Sequence, residues 1–117
     1  MKLLRLSGRK VCERVKQKGY LWKGKHMQAR LLRGLPRTLP ASAPAGLYIG
    51  VLTSTKLHKS AVKRNRMRRR CREAIRLTAL PLEKLPAVQL LLLPRSSSLS
   101  APFDEILADA GHLITSL

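Results

Sequence analysis

Between Ser60 and Pro81 the chain reads AVKRNRMRRRCREAIRLTAL, and no other stretch limits the fold so tightly. On a helical repeat Met67, Cys71, Ala74, Ile75 and Thr78 share one side, the i, i+4, i+7, i+8, i+11 spacing of a packed face. Arg66, Arg69, Arg72 and Arg76 fall opposite or beside it. A helix with so narrow an apolar stripe lies against a core along one line and meets solvent or a partner along the rest. Ser60 is placed as its N-cap, and Pro81 bars much extension. From Lys56 to Arg76 there are ten basic residues and one acid, Glu73. Like charges one turn apart weaken an isolated helix, and a helix that needed only solubility would interleave signs. The arrangement makes physical sense against a polyanion.

The rest of the chain supports that partner. It has 117 residues, enough for one domain, with 24 Lys and Arg against 6 Asp and Glu, a formal charge of +18. Its hydrophobic fraction, 44%, is that of a globular protein, so the chain is not merely a basic tail. The only aromatic residues are Tyr20, Trp22, Tyr48 and Phe103. The core is therefore aliphatic and any base-stacking surface small. No stretch approaches the roughly 18 apolar residues of a membrane span. The opening MKLLRLSGRKV lacks the long apolar segment of a secretory signal, which points to the cytoplasm and away from membranes. Cys12 and Cys71 have no second metal ligand nearby and read as reduced, buried thiols.

Residues 8–18 carry Val11, Cys12 and Val15 on one helical face, with Ser7 placed to cap the start and Gly19 to end it. Residues 26–33 alternate as a strand, with Met27, Ala29 and Leu31 on one side and His26, Gln28, Arg30 and Leu32 on the other. A Pro- and Ala-rich loop, residues 34–46, is expected to be the flexible part of the domain. Residues 47–54 form a second strand, expected to pair with the first as a hairpin. After the basic helix, LPLEKLP reads as a turn-rich connector and AVQLLLL, residues 87–93, as a strand buried on both faces. Residues 101–116 make a last helix with Phe103, Ile106, Leu107, Ala110, Leu113, Ile114 and Leu117 as its apolar stripe. It holds three of the six acids and no Lys or Arg, so a polyanion should dock on the side of the central helix. The order helix, strand, strand, helix, strand, helix gives an α+β domain with one small mixed sheet.

Nothing marks a self-sufficient catalytic site. His26, His58 and His112 are scattered, there is no Gly-rich phosphate loop or metal-ligand spacing, and the acids are spread along the chain. No leucine heptad follows the basic helix, which disfavours a zipper-type DNA reader. Asn65 is the odd residue in the cation cluster, where charge has no use for it. Its amide can donate and accept at once, to a base, a sugar hydroxyl or the backbone at the helix start.

The stretch AVKRNRMRRRCREAIR resembles the signature of the bacterial ribonuclease P protein component, with Ala61, Val62, Arg64, Asn65, Arg66, Arg68, Arg69, Arg72 and Glu73 in matching places. The resemblance extends from about Arg5 to Leu113. It implies an RNA-binding subunit of a ribonucleoprotein endonuclease, in which a catalytic RNA uses bound Mg²⁺ to remove the 5′ leader of precursor tRNA. It also implies a left-handed strand–helix–strand crossover around the signature helix, against the usual right-handed rule. Catalytic residues on the protein would be none. RNA-binding residues would be Arg64, Asn65, Arg66, Arg68, Arg69 and Arg72, flanked by Lys56, Lys59 and Lys63. A leader cleft between the first helix and the sheet would be lined by Cys12, Lys16, Tyr20 and Arg30. No metal would be bound by the protein alone, which would act as a monomer within the complex. The chain departs from the family pattern where Cys12, Lys16 and Arg30 stand in places that are often aromatic, so leader binding would lean on charge. Tyr20 and Trp22 are either substitutes for those aromatics or rim and core residues. The segment TKLHKSAV also differs from a family segment that usually carries a glycine. Two other readings remain: a ribosomal or other architectural RNA-binding protein, and a protein-only nuclease.

Overall fold

The apolar run after the basic helix sits at the centre of a five-stranded sheet. In the computed structural model, which describes residues 3–82 and 87–117, the strands are β1 (Leu3–Arg5), β2 (Tyr20–Lys23), β3 (Met27–Arg33), β4 (Leu47–Val51) and β5 (Val88–Pro94). The helices are α1 (Arg9–Lys18), α2 (Ala61–Ala79) and α3 (Phe103–Thr115), with a 3-10 turn over Ser96–Leu99. The strand order is β1-β4-β5-β3-β2. β5 runs parallel to β4 and antiparallel to β3. The basic helix α2 is therefore the crossover between two neighbouring parallel strands.

The expected hairpin of β3 with β4 does not form, because β5 inserts between them. Six of the seven β5 residues are buried, and a strand apolar on both sides needs a neighbour at each edge as well as a cover on each face. Two short edge strands, β1 and β2, were not visible in the sequence. With three and four residues they are too brief to show alternation.

The register sorts side chains onto two faces. Met27, Ala29, Leu31, Leu47, Ile49, Val88, Leu90 and Leu92 pack with Cys71, Ala74 and Ile75 of α2 and Ile106, Ala110 and Leu113 of α3. On the other face Leu6, Tyr48 and Leu91 meet Val11 and Val15 of α1. The sheet is thus covered by α2 and α3 on one side and by α1 on the other.

Helix α1 begins one residue later than Ser7 could cap. Leu6 still donates to Ile49 O at 2.9 Å as an extension of β1. The chain then turns sharply at Gly8, whose φ of 100° suits glycine and which takes the cap position without a side-chain bond. Gly19 ends α1 as expected, its N–H donating to Val15 O at 2.8 Å. Ser60 caps α2, its Oγ accepting from Lys63 N at 3.3 Å. The connector expected over 80–86 lies, for residues 83–86, outside the described residues.

Helix α3 is tied to the β2–β3 turn by its acids. Asp109, buried, accepts from the backbone N–H of Lys25 at 3.1 Å and of His26 at 2.6 Å. Glu105 accepts from Lys25 Nζ at 2.8 Å and lies 2.9 Å from His26 Nε2. A carboxylate only accepts, so that ring nitrogen carries the hydrogen, and Ser97 Oγ, 2.9 Å from Nδ1, completes the other side.

Candidate nucleic-acid interface

Helix α2 is seated by Met67, Cys71, Ala74, Ile75 and Ala79, all buried, while Lys63, Asn65, Arg66, Arg68, Arg69, Arg72 and Arg76 stand exposed. Burial raises the Cys71 thiol to about 11, so it stays protonated and acts as core. Thr78, expected on the stripe, is half-buried and bonds the carbonyls of Ala74 and Ile75.

The cations of this helix divide by what they touch. Arg64 Nη1 donates to the carbonyls of His58 at 2.7 Å and Lys59 at 3.0 Å, and Ser60 N donates to His58 Nδ1 at 3.0 Å. Arg64 thereby fixes the turn leading into α2 as well as presenting charge beside it. Arg68 Nη2 donates to Thr53 Oγ1 at 2.8 Å. Arg76 pairs with Glu73 at 2.6 Å, which holds the Glu73 carboxyl below its usual range. Arg70, half-buried, donates to Ser98 O at 2.7 Å and to Ala101 O, and so fastens α2 to the segment before α3. Among the described residues, the side chains of Lys63, Asn65, Arg66, Arg69 and Arg72 have no hydrogen-bond or ion-pair partner. The Asn65 amide is not taken up by the backbone at the helix start.

Of the described acids, Glu13 pairs with Arg9, Glu73 with Arg76, and Glu105 with Lys25 and His26, while Asp104 and Asp109 belong to α3. The first three turns of α2 consequently present cations without internal neutralisation, and Lys56 and Lys59 add exposed charge just before them.

A groove of about 340 Å³ lies between α1 and the sheet, lined by Leu6, Arg9, Cys12, Glu13, Lys16 and Leu91 together with Gly50 to Leu52. Its floor belongs to a row of directly paired positions, Gly50, Leu91, Arg30 and Leu21, on the α1 face of the sheet. Arg30 is half-buried, with Nη1 3.5 Å from Gly19 O at the end of α1. Burial raises the Cys12 thiol, so the groove wall there is a neutral sulfur beside the exposed Lys16 ammonium.

Tyr20 is not part of this groove. The β2–β3 register sets it opposite Leu31, on the face that α2 and α3 cover. Trp22, opposite Ala29, packs against the same core. Strand β2 was hidden from the sequence, and so was the parity that decides which way its aromatics point. Cys12, Lys16 and Arg30 do share the α1 side of the sheet.

Arg5 escaped the sequence reading. In β1 it pairs with Ile49 and so faces α2, where it lines a pocket with Arg68 and Arg72. That pocket shares Leu6, Gly50 and Val51 with the α1 groove. The cationic surface of α2 therefore adjoins the groove across the β1 edge. Among the described residues no three His, Cys, Asp or Glu side chains gather as metal ligands, and no helix is long and apolar enough to cross a membrane.

The whole chain, residues 1–117, matches the Ribonuclease P family model. A ribonuclease P protein component from Synechococcus sp. (strain RCC307) is 36% identical over 117 residues, covering 94% of this chain and 88% of that protein. Among solved structures, the Staphylococcus aureus RNase P protein superposes with a TM-score of 0.73 at 17% identity, covering 98% of this chain and 95% of that one. The RNase P protein from Thermotoga maritima gives 0.73 at 15% identity, covering 100% and 98%. At such identities these likenesses speak to the fold.

Proposed function

Since the chain belongs to the Ribonuclease P protein family, we propose that it is the protein subunit of a ribonucleoprotein that removes the 5′ leader of precursor tRNA, gripping the catalytic RNA with α2 and the leader in the α1 groove. The observation that carries this reading is the exposed set Asn65, Arg66, Arg69 and Arg72, left without acidic partners while the opposite side of the same helix is sealed in the core. Guanidinium groups meet phosphates bidentately and release their counterions. Asn65 adds an amide that reads a sugar hydroxyl or base edge.

The protein's part is positional. Arginine presents a rigid planar fork of donors that matches phosphate geometry, so these residues bind and orient the RNA. The groove offers Arg9 and Lys16 to a single strand, with Arg30 beside Leu91 on the same face of the sheet, and no ring among its described lining residues to stack on. It therefore favours backbone charge over base identity. Mg²⁺ is assigned to the RNA, whose phosphate oxygens are the hard ligands it favours. The complex is assigned to the cytoplasm, with one copy of this protein in it.

Cleavage of precursor tRNA at low Mg²⁺ tests the reading, using the protein alone, its partner RNA alone, and both. Strong cleavage is expected only with both. Activity of the protein alone would point to a nuclease, and RNA binding without stimulation to an architectural role. Replacing Arg66 and Arg69 together by Ala should reduce the log–log salt slope of RNA binding by about 2, one unit for each phosphate contact. Neither side chain has a partner among the described residues, so the thermal midpoint should hold.

A further inference from the structure

Helix α1 has a second cationic flank. Lys10, Arg14 and Lys18 recur at i, i+4 and i+8 on the side away from Cys12 and Lys16, each about 6 Å further along the axis. They face residues from the loop between β3 and β4, and together they bound a groove of about 380 Å³ with Arg37 and Thr38 on its far wall.

That wall is built rather than incidental. Leu35 packs against the α1-side core, and Pro36 is buried. Leu39 N donates to Pro36 O at 3.0 Å, closing a turn whose corner residues are Arg37 and Thr38. The turn therefore holds an arginine and a hydroxyl against the cationic flank. Among the described residues Glu13 is the one acid lining the groove, and it lies 3.7 Å from Arg9. A row of like charges costs an isolated helix stability, and a fourth cation set across from it adds to the repulsion. An exposed helix face with only water to satisfy would gain nothing from that fourth charge.

We propose that this second groove binds a phosphodiester backbone of RNA, so that α1 stands as a ridge between two strand tracks. Phosphate complements four cations and a hydroxyl donor, and among the described lining residues no aromatic ring is present to stack a base. The strand belongs either to the catalytic RNA or to precursor tRNA; both offer the same backbone. The partner, but not the groove, rests on the ribonucleoprotein reading above.

The test uses the full chain, a triple variant Lys10→Gln, Arg14→Gln and Lys18→Gln, and separately Arg37→Gln. Glutamine keeps the helix propensity and removes the charge. Binding is measured over a range of salt concentrations in two arms: catalytic RNA with protein alone, and the assembled complex with precursor or mature tRNA. In one arm the triple variant is expected to lower the log–log salt slope by about 2 to 3, and Arg37→Gln by about 1. The arm that responds names the source, and within the second arm mature tRNA separates leader from tRNA body. Wild-type slopes in both arms would overturn the proposal, and so would weaker binding at an unchanged slope. If the triple variant melts early, Arg37→Gln, confined to the loop, decides. The Arg66 and Arg69 replacement runs alongside: its loss of binding with an indifferent second groove would sink this inference and leave the ribonucleoprotein reading standing.

Discussion

Two adjacent arginines show how little residue type alone reveals. Arg69 is exposed with no partner among the described residues, while Arg70 reaches the carbonyls of Ser98 and Ala101 across the helix packing. A charged donor to partly buried carbonyls stabilises by about 1.5–3 kcal/mol. Arg70→Met should therefore lower unfolding stability by roughly that much in urea titrations, whereas Arg69→Ala should leave it within about 0.5 kcal/mol. In RNA binding the order should reverse. Gly19 makes a similar point through space. A Cβ there would lie 2.5 Å from Val15 O and 2.8 Å from Leu31 O, both backbone atoms that cannot swing away. Gly19→Ala should cost about 1–3 kcal/mol of stability by chemical denaturation, through the forced separation of α1 from β3.

At the scale of elements, the union of α3 with the β2–β3 turn should be sensitive to acid. Lys25 first, and His26 second, hold the Glu105 carboxyl below its usual value of 4.5. A carboxyl depressed in the fold contributes stability that is present above its unfolded pKa and fades as pH falls through the folded one. The urea midpoint should accordingly fall as pH drops below the ordinary carboxyl value of 4.5 and through the lower folded one, and Glu105→Gln should flatten that part of the profile. An unchanged profile in the variant would mean that the link carries no stability. The same elements show what could be read from the chain. α2, α3 and β5 were legible because each is long enough for its period, or its lack of one, to stand out. So was the outward face of α2, since Met67, Cys71 and Ile75 fix its rotation. Illegible were β1 and β2, and with them the facing of Arg5 and Tyr20, because a strand of three or four residues takes its parity from its neighbour. Nor could the sequence show that β5 divides β3 from β4, since pairing order is a choice among distant segments. His26, Ser97 and Glu105 meet for the same reason: about 70 to 80 residues separate the histidine from the other two, a distance no local pattern spans.

For the molecule as a whole, a charge of +18 on 117 residues works against compactness. The unpartnered arginines of α2, the Arg5–Arg68–Arg72 pocket and the two flanks of α1 concentrate that repulsion on the native surface more than on an expanded chain. Anything that binds those clusters in the native state alone must stabilise it by mass action. Each tenfold rise in such a ligand beyond its dissociation constant adds about 1.4 kcal/mol per site. For a domain of this size that is about 5 °C in Tm. Sulfate, divalent and tetrahedral, should therefore raise Tm more than sodium chloride at equal ionic strength, because chloride only shortens the screening length while sulfate also occupies the sites. Equal rises in the two salts would reduce the effect to screening. The arginine clusters would then be diffuse charge rather than sites preformed for phosphate, and RNA would have to assemble them itself.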